Sequence, residues 1–121
     1  MCIRDSIERD IHRCKLVREL IGKDNKLMVD SNQVWSVNET IEYINQLKQF
    51  DIMFYEEPTS PDDIIGFRKI KDAHPDIKLA TGEMIQNKVI FSNKLSYQLT
   101  SMNISFNILT NFHFKVRPTF F

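Results

Sequence analysis

Glycine, cysteine and net charge are all scarce in this sequence. Its 121 residues include three glycines and two cysteines, and sixteen basic side chains cancel sixteen acidic ones. Two cysteines are too few for a disulfide framework, and neither Cys2 nor Cys14 sits in a CxxC pair, so both read as reduced thiols. Without excess Lys and Arg there is no electrostatic footprint for nucleic acid or for an anionic membrane surface. No apolar run approaches the roughly 18 residues of a membrane span. Met1-Cys2-Ile3-Arg4-Asp5-Ser6 carries charge where a secretory signal needs an apolar stretch. These absences leave a cytoplasmic protein, with a mitochondrial one still compatible, that partners neither nucleic acid nor membrane. The length suits a single domain.

The neutral total hides an asymmetry. Every acidic residue lies at or before Glu83, so residues 1–83 carry net −4 and residues 84–121 carry net +4. Six of the nine phenylalanines follow position 90. A shift this sharp sets an interpretable part, residues 1–91, apart from a divergent tail at 92–121. Read separately, residues 1–6 look like a leader foreign to the rest, which leaves 7–91 as the domain. Ile104-x-Phe106-x-Ile108 and Phe112-x-Phe114-x-Val116 alternate as a β-hairpin around Thr110-Asn111 would, so the tail is expected to be irregular or β-rich.

Within 7–91, helical and strand patterns alternate. Ile7, Ile11, Cys14, Val17, Leu20 and Ile21 share one helical face, with Glu8, Arg9, Asp10 and Arg13 among the wet residues and Gly22 as the stop. Leu27-Met28-Val29 is a short apolar run that ends at Asp30. Ser36-Val37-Asn38-Glu39 matches a capping box, and the helix it opens points Ile41, Ile44 and Leu47 inward. Ile52–Tyr55 is a second strand ending at Glu56-Glu57-Pro58. A third helix is predicted to begin at Ser60-Pro61-Asp62-Asp63, to bury Ile64, Phe67 or Ile70, and Ala73, and to stop at His74-Pro75. Ile77–Ala80 is the third strand, leading to Glu83. Strands alternating with helices predict an α/β fold with a parallel sheet. The repeat of 26 and then 27 residues between Asp30, Glu56 and Glu83 favours a TIM-type (β/α) barrel, of which this chain holds about three units. A doubly wound sheet would more usually show a glycine-rich loop after its first strand, and none is there.

Three carboxylates, Asp30, Glu56 and Glu83, therefore fall at three strand ends. In a parallel barrel those ends open on one face, where active sites of this fold are built. Three anions there repel one another unless a cation lies between them, and all-oxygen donors suit a hard ion such as Mg²⁺. The competing reading is three separate, solvated turn acids.

Met28-Val29-Asp30-Ser31-Asn32-Gln33-Val34-Trp35, Tyr55-Glu56-Glu57-Pro58-Thr59-Ser60-Pro61-Asp62-Asp63, and Ala80-Thr81-Gly82-Glu83 with Gln86–Phe91 resemble the enolase superfamily, and within it the mandelate racemase group. Glu-Glu-Pro-Thr-Ser-Pro-Asp-Asp is most similar to L-fuconate dehydratases. The resemblance implies that Asp30, Glu56 and Glu83 ligate Mg²⁺, that Asn32 stands on the substrate side or behind the ligands, and that Glu57 either supports them or is a solvated turn acid. It further implies a hydro-lyase that removes the proton alpha to a sugar-acid carboxylate, passes through an enediolate, and loses water to give a 2-keto-3-deoxy acid. An L-fuconate-like sugar acid would be the partner, in a parent protein expected to be a homo-oligomer.

Departures from that pattern shape the expectation. The family's base, from a Lys-x-Lys pair one repeat before Asp30, would fall near residues 1–4, where no lysine stands. The Asp of the sixth strand would fall on Thr110, and His113 reads as a lone surface or packing histidine. The expectation is a fragment that carries metal ligands without the base and is inactive alone. The alternative is a non-catalytic pseudoenzyme or assembly segment with relic carboxylates. Trp35 is expected to pack at the barrel mouth rather than to contact a sugar ring. His12 and His74 have no metal-ligand partner in the pattern.

Overall fold

The structure, a computed structural model, describes residues 6–81 and the backbone of 114–116. Three helices and four strands alternate as α1 (Ile7–Ile21), β1 (Leu27–Asp30), α2 (Val37–Leu47), β2 (Ile52–Glu56), α3 (Ile64–Ala73), β3 (Leu79–Ala80) and β4 (Phe114–Val116). A turn of 3-10 helix at Lys48–Phe50 links α2 to β2. The sheet order is β3-β2-β1-β4, and every pairing is parallel. This is the α/β arrangement of part of a β/α barrel, as the alternation predicts. No helix among the described residues is long and apolar enough to cross a membrane.

Where it is described, the tail is strand, as a β-rich tail would be. Phe114–Val116 runs parallel to β1, with Met28 level with Lys115, and covers the edge of β1 that β2 leaves open. The other residues of the expected hairpin, Ile104 to Phe112, and His113 lie outside the described residues, as do residues 1–5, 82–113 and 117–121 generally.

Helix α1 buries Asp10, Cys14 and Ile21 and leaves Leu20 81% exposed. Leu20 stands one residue, about 100° of helix, off the stripe that Cys14 and Ile21 define, so it does not reach the core. Asp10, expected on the wet face, is buried instead, with Arg13 bonded to it at 3.1 Å to offset the charge. Gly22 takes φ 74° and closes the helix with its N–H on the Arg18 carbonyl. Arg18 then donates to four carbonyls, those of Gly22, Asn25, Phe50 and Asp51, tying together the turns that precede β1 and β2.

Helix α2 opens with both halves of the predicted capping box. Ser36 Oγ accepts from the Glu39 N–H, and Glu39 Oε2 accepts from the Ser36 N–H at 2.8 Å. Thr40, Ile44 and Leu47 are buried and Ile41 half-buried. Helix α3 starts later than predicted. Ser60-Pro61-Asp62-Asp63 is a turn closed by the Asp63 N–H on the Ser60 carbonyl, and Asp63 caps the helix by accepting from the Gly66 N–H at 2.8 Å. Proline at the second position of a turn fits this geometry as well as it fits a helix start, which is why the sequence misleads. The buried stripe is Gly66, Phe67, Ile70, Lys71 and His74, so Ala73 faces solvent. Buried Lys71 spends its ammonium on the Pro75 and Ile77 carbonyls, and His74 bonds the Ile41 carbonyl.

Two apolar clusters flank the sheet. Leu27, Val29, Tyr55 and Leu79 join the helices in the larger one, whereas Met28, Phe54, Ala80 and half-buried Met53 form the other. Strict alternation along β2 would separate Met53 from Phe54. The pairing explains their company: Leu27 stands opposite Ile52 but Val29 opposite Tyr55, so β2 carries one extra residue between those points. This bulge turns both Met53 and Phe54 to one face and reverses the phase of all that follows.

Candidate metal centre

The bulge decides where the carboxylates meet. Without it, Asp30 would stand level with Tyr55; with it, Asp30 stands directly across from Glu56, each the last residue of its strand. Side chains repeat faces every second residue, so Asp30 shares a face with Met28 and Glu56 with Phe54. The two acids thus crown the smaller cluster at the carboxyl ends of adjacent parallel strands. Asp30 is 3% exposed and Glu56 half-buried. The Asn32 N–H donates to Asp30 Oδ1 at 3.0 Å, which orients that carboxylate from its own loop. Asn32 contributes here through its backbone, and its side chain is exposed.

Beyond the last strand residues the ladder continues through the loops. The Ser31 N–H donates to the Glu56 carbonyl at 3.0 Å, the Gln33 N–H to the Glu57 carbonyl at 2.7 Å, and the Trp35 N–H to the Pro58 carbonyl at 3.2 Å. Asn32, Gln33 and Glu57 adopt φ of 48°, 67° and 40°. Such left-handed backbone costs a non-glycine residue of order ~1 kcal/mol or more and persists where surroundings enforce it. Glu57 is 3% exposed and accepts from Gln33 Nε2 at 3.0 Å through Oε2, so it is not a solvated turn acid; its Oε1 is buried without a hydrogen-bond partner among the described residues. Trp35, also buried, packs edge-on against Tyr43 with ring centroids 5.3 Å apart, in agreement with the packing role.

Glu83 lies outside the described residues, which end this stretch at Thr81, so the described residues bring together two of the three expected ligands. Among them no three His, Cys, Asp or Glu side chains converge on one point. The donor set nonetheless fits a hard divalent ion: two carboxylates side by side, oxygens only, one oriented by a backbone amide. β3 pairs with β2 through the Tyr55 and Glu57 N–H groups on the Lys78 and Ala80 carbonyls, so the strand that leads to Glu83 ends beside Glu56. A hollow of about 490 Å³ lined by Lys23, Lys26, Lys48, Tyr55 and Asp76 opens at the opposite, amino end of the strands. That is the stability face of a β/α barrel rather than its catalytic one. Gln33 and the bulge were not legible in the sequence. The only local signal was the Asn32-Gln33 pair, since asparagine tolerates left-handed backbone.

Parallel strands joined by helices, with acids on adjacent strand ends, define the class: a segment of a β/α barrel built to hold charge at its carboxyl face. The family model for the enolase C-terminal domain-like fold matches residues 1–102. The chain belongs to that family. It is 53% identical over 90 residues to L-galactonate dehydratase of Hypocrea jecorina, covering 71% of this chain and 20% of that protein. The solved structure of human mitochondrial enolase superfamily member 1 superposes with TM-score 0.73 at 40% identity, over 78% of this chain and 22% of that one. A racemase from Streptomyces coelicolor with bound magnesium gives TM-score 0.74 at 33% identity, over 78% and 26%. The chain thus spans about a fifth of the length of curated relatives that it matches.

Proposed function

We propose that this chain supplies the metal-holding part of a magnesium-dependent sugar-acid dehydratase, with Asp30, Glu56 and Glu83 as ligands and an L-fuconate-like acid as substrate. The observation that carries this is the bulge-set register that places Asp30 beside Glu56 at the carboxyl ends of β1 and β2. Relatives named as dehydratases of galactonate and of talarate and galactarate support the reaction class, and magnesium-bound neighbours support the ion. When bound, the ion supplies positive charge to the carboxylate oxygens of a sugar acid as the alpha proton leaves. The chain's own part is to hold two carboxylates on adjacent rigid strands, to fix Asp30 through the Asn32 amide, and to keep Asp30 shielded from water. No lysine stands at residues 1–4, one repeat before Asp30, so this segment provides ligands and leaves proton removal to groups elsewhere.

Calorimetric titration tests the reading. The wild-type chain is expected to bind Mg²⁺, and Glu56→Gln or Asp30→Asn to weaken binding at least tenfold; equal affinity in all three overturns the ligand assignment. With Mg²⁺ and L-fuconate the chain is expected to form no 2-keto-3-deoxy acid above a metal-free blank. Measurable conversion would refute the division of labour.

A further inference from the structure

The two loops beyond β1 and β2 are joined by a contact that the ligand assignment does not use. Gln33 bonds the same residue twice: its N–H donates to the Glu57 carbonyl at 2.7 Å, and its side-chain Nε2 donates to Glu57 Oε2 at 3.0 Å. Both partners hold left-handed backbone, and Glu57 is 3% exposed. A single hydrogen bond lets one loop pivot on the other. Two bonds, one to the main chain and one to the side chain, fix both the separation of the loops and the orientation of Glu57.

Glu57 follows Glu56 directly, and Gln33 lies three residues past Asp30, within a turn that the Val34 N–H closes on the Ser31 carbonyl. We infer that Gln33 is a positioning residue: its pair of hydrogen bonds to Glu57 clamps the two loops and so fixes the spacing of Asp30 and Glu56. This rests on the reading of those two acids as metal ligands. The clamp needs Gln33 as a donor and an oxygen at the end of residue 57; it does not need a negative charge there. That separates it from a purely electrostatic role for Glu57. Groups that hold metal ligands from behind commonly change metal affinity by 10- to 100-fold when altered.

Mn²⁺, followed by its free-ion electron paramagnetic resonance signal, serves as the probe on the 121-residue chain. Gln33→Met keeps length and net charge but removes the donor, and is expected to weaken Mn²⁺ binding about tenfold or more with the circular dichroism spectrum unchanged. Glu57→Gln keeps an acceptor oxygen for Gln33 and is expected to stay within about threefold of wild type, since only the charge is lost. Should Gln33→Met fail to fold, Gln33→Asn, one methylene too short to reach, carries the same expectation. Wild-type affinity in the Gln33 variant overturns the inference, as does an equal loss in Gln33→Met and Glu57→Gln. If the wild-type chain binds no Mn²⁺, the ligand reading itself fails. Amide exchange at residues 33 and 35 then decides the clamp alone: faster exchange of both in Gln33→Met supports it, and unchanged exchange overturns it.

Discussion

Replacing Tyr55 with phenylalanine should stabilise this protein, and the reason bears on the site. The bulge in β2 turns Tyr55 toward the helices, where it is 1% exposed in the larger apolar cluster and its hydroxyl has no hydrogen-bond partner among the described residues. A buried, unsatisfied hydroxyl costs about 1–3 kcal/mol relative to one left in water. Tyr55→Phe keeps the ring and removes that cost. The single atom lost forfeits a few dispersion contacts of ~0.1–0.2 kcal/mol each, together about 0.5 kcal/mol. The net gain is about 1 kcal/mol, which at a urea slope of roughly 1–3 kcal/mol/M moves the midpoint up by about 0.3–1 M. Equilibrium unfolding followed by circular dichroism measures it. A midpoint that falls, or does not move, would mean that the phenol has found a partner or lies on the other face. In the second case the phase reversal that brings Glu56 level with Asp30 would be wrong. The same residue gives a pH signature. Burial pushes the phenol above its ordinary range, with the Cys14 thiol and Asp76 adding to the effect. Burial also pushes the Cys14 thiol up to about 12, helped by Asp10 and opposed by Arg13. Both groups stay protonated in the fold while the unfolded chain ionises, so the unfolded state binds fewer protons and stability falls as pH rises. The loss begins near pH 9 with Cys14, deepens near pH 10 with Tyr55, and runs at up to about 1.4 kcal/mol per pH unit for each group. Tyr55→Phe should keep only the Cys14 part of that slope.

Asp63→Ala removes the acceptor for the Gly66 N–H and should cost about 1 kcal/mol in urea unfolding, as loss of a helix cap does. Gly66→Ala should be worse than the usual gain from glycine to alanine in a helix, because the added methyl would meet the Asp63 carboxylate and Val37 Cγ2; a thermal midpoint that rises would contradict this. Ending the chain at residue 110 removes β4 and bares the backbone edge of β1. Exposed edges pair with other chains, so size-exclusion chromatography should show added self-association relative to the full chain.

What the sequence made legible was what periodicity and local chemistry encode. Helix α1 ends where predicted because Gly22 is a strong stop, and α2 begins where predicted because its capping box is complete within four residues. Helix α3 was misplaced at its start because Ser60-Pro61-Asp62-Asp63 satisfies two local rules, and only the tertiary position of Asp63 above Gly66 chooses between them. Asp10 read as wet because charge is a poor guide to burial when Arg13 pairs with it one turn on. The strand-end acids were visible as a repeat. Their cross-strand meeting was not, because it depends on an extra residue in β2 that leaves no mark in the pattern: Ile52-Met53-Phe54-Tyr55 is apolar throughout and fits either phase.

That ambiguity explains how the site is built. A run buried on both faces cannot fix its own phase by alternation, so something outside the strand must choose between Tyr55 and Glu56 as the neighbour of Asp30. Two devices bracket the choice. At the amino end, Arg18 bonds the Asn25 carbonyl before β1 and the Phe50 and Asp51 carbonyls before β2, pinning where the two strands start. At the carboxyl end, Ser31, Gln33 and Trp35 donate to Glu56, Glu57 and Pro58, pinning where they finish. Between fixed ends, β1 has one residue fewer than β2, and the bulge is the only way to absorb the difference. The pairing of Asp30 with Glu56 is therefore imposed by the loops at both ends, and neither carboxylate sets it alone. A substitution at Arg18 that frees the amino end should loosen the register without touching the acids: Arg18→Met is expected to speed amide exchange at Tyr55 and Glu57, whose N–H groups bond β3. Unchanged exchange there would show that the carboxyl-end bonds suffice by themselves.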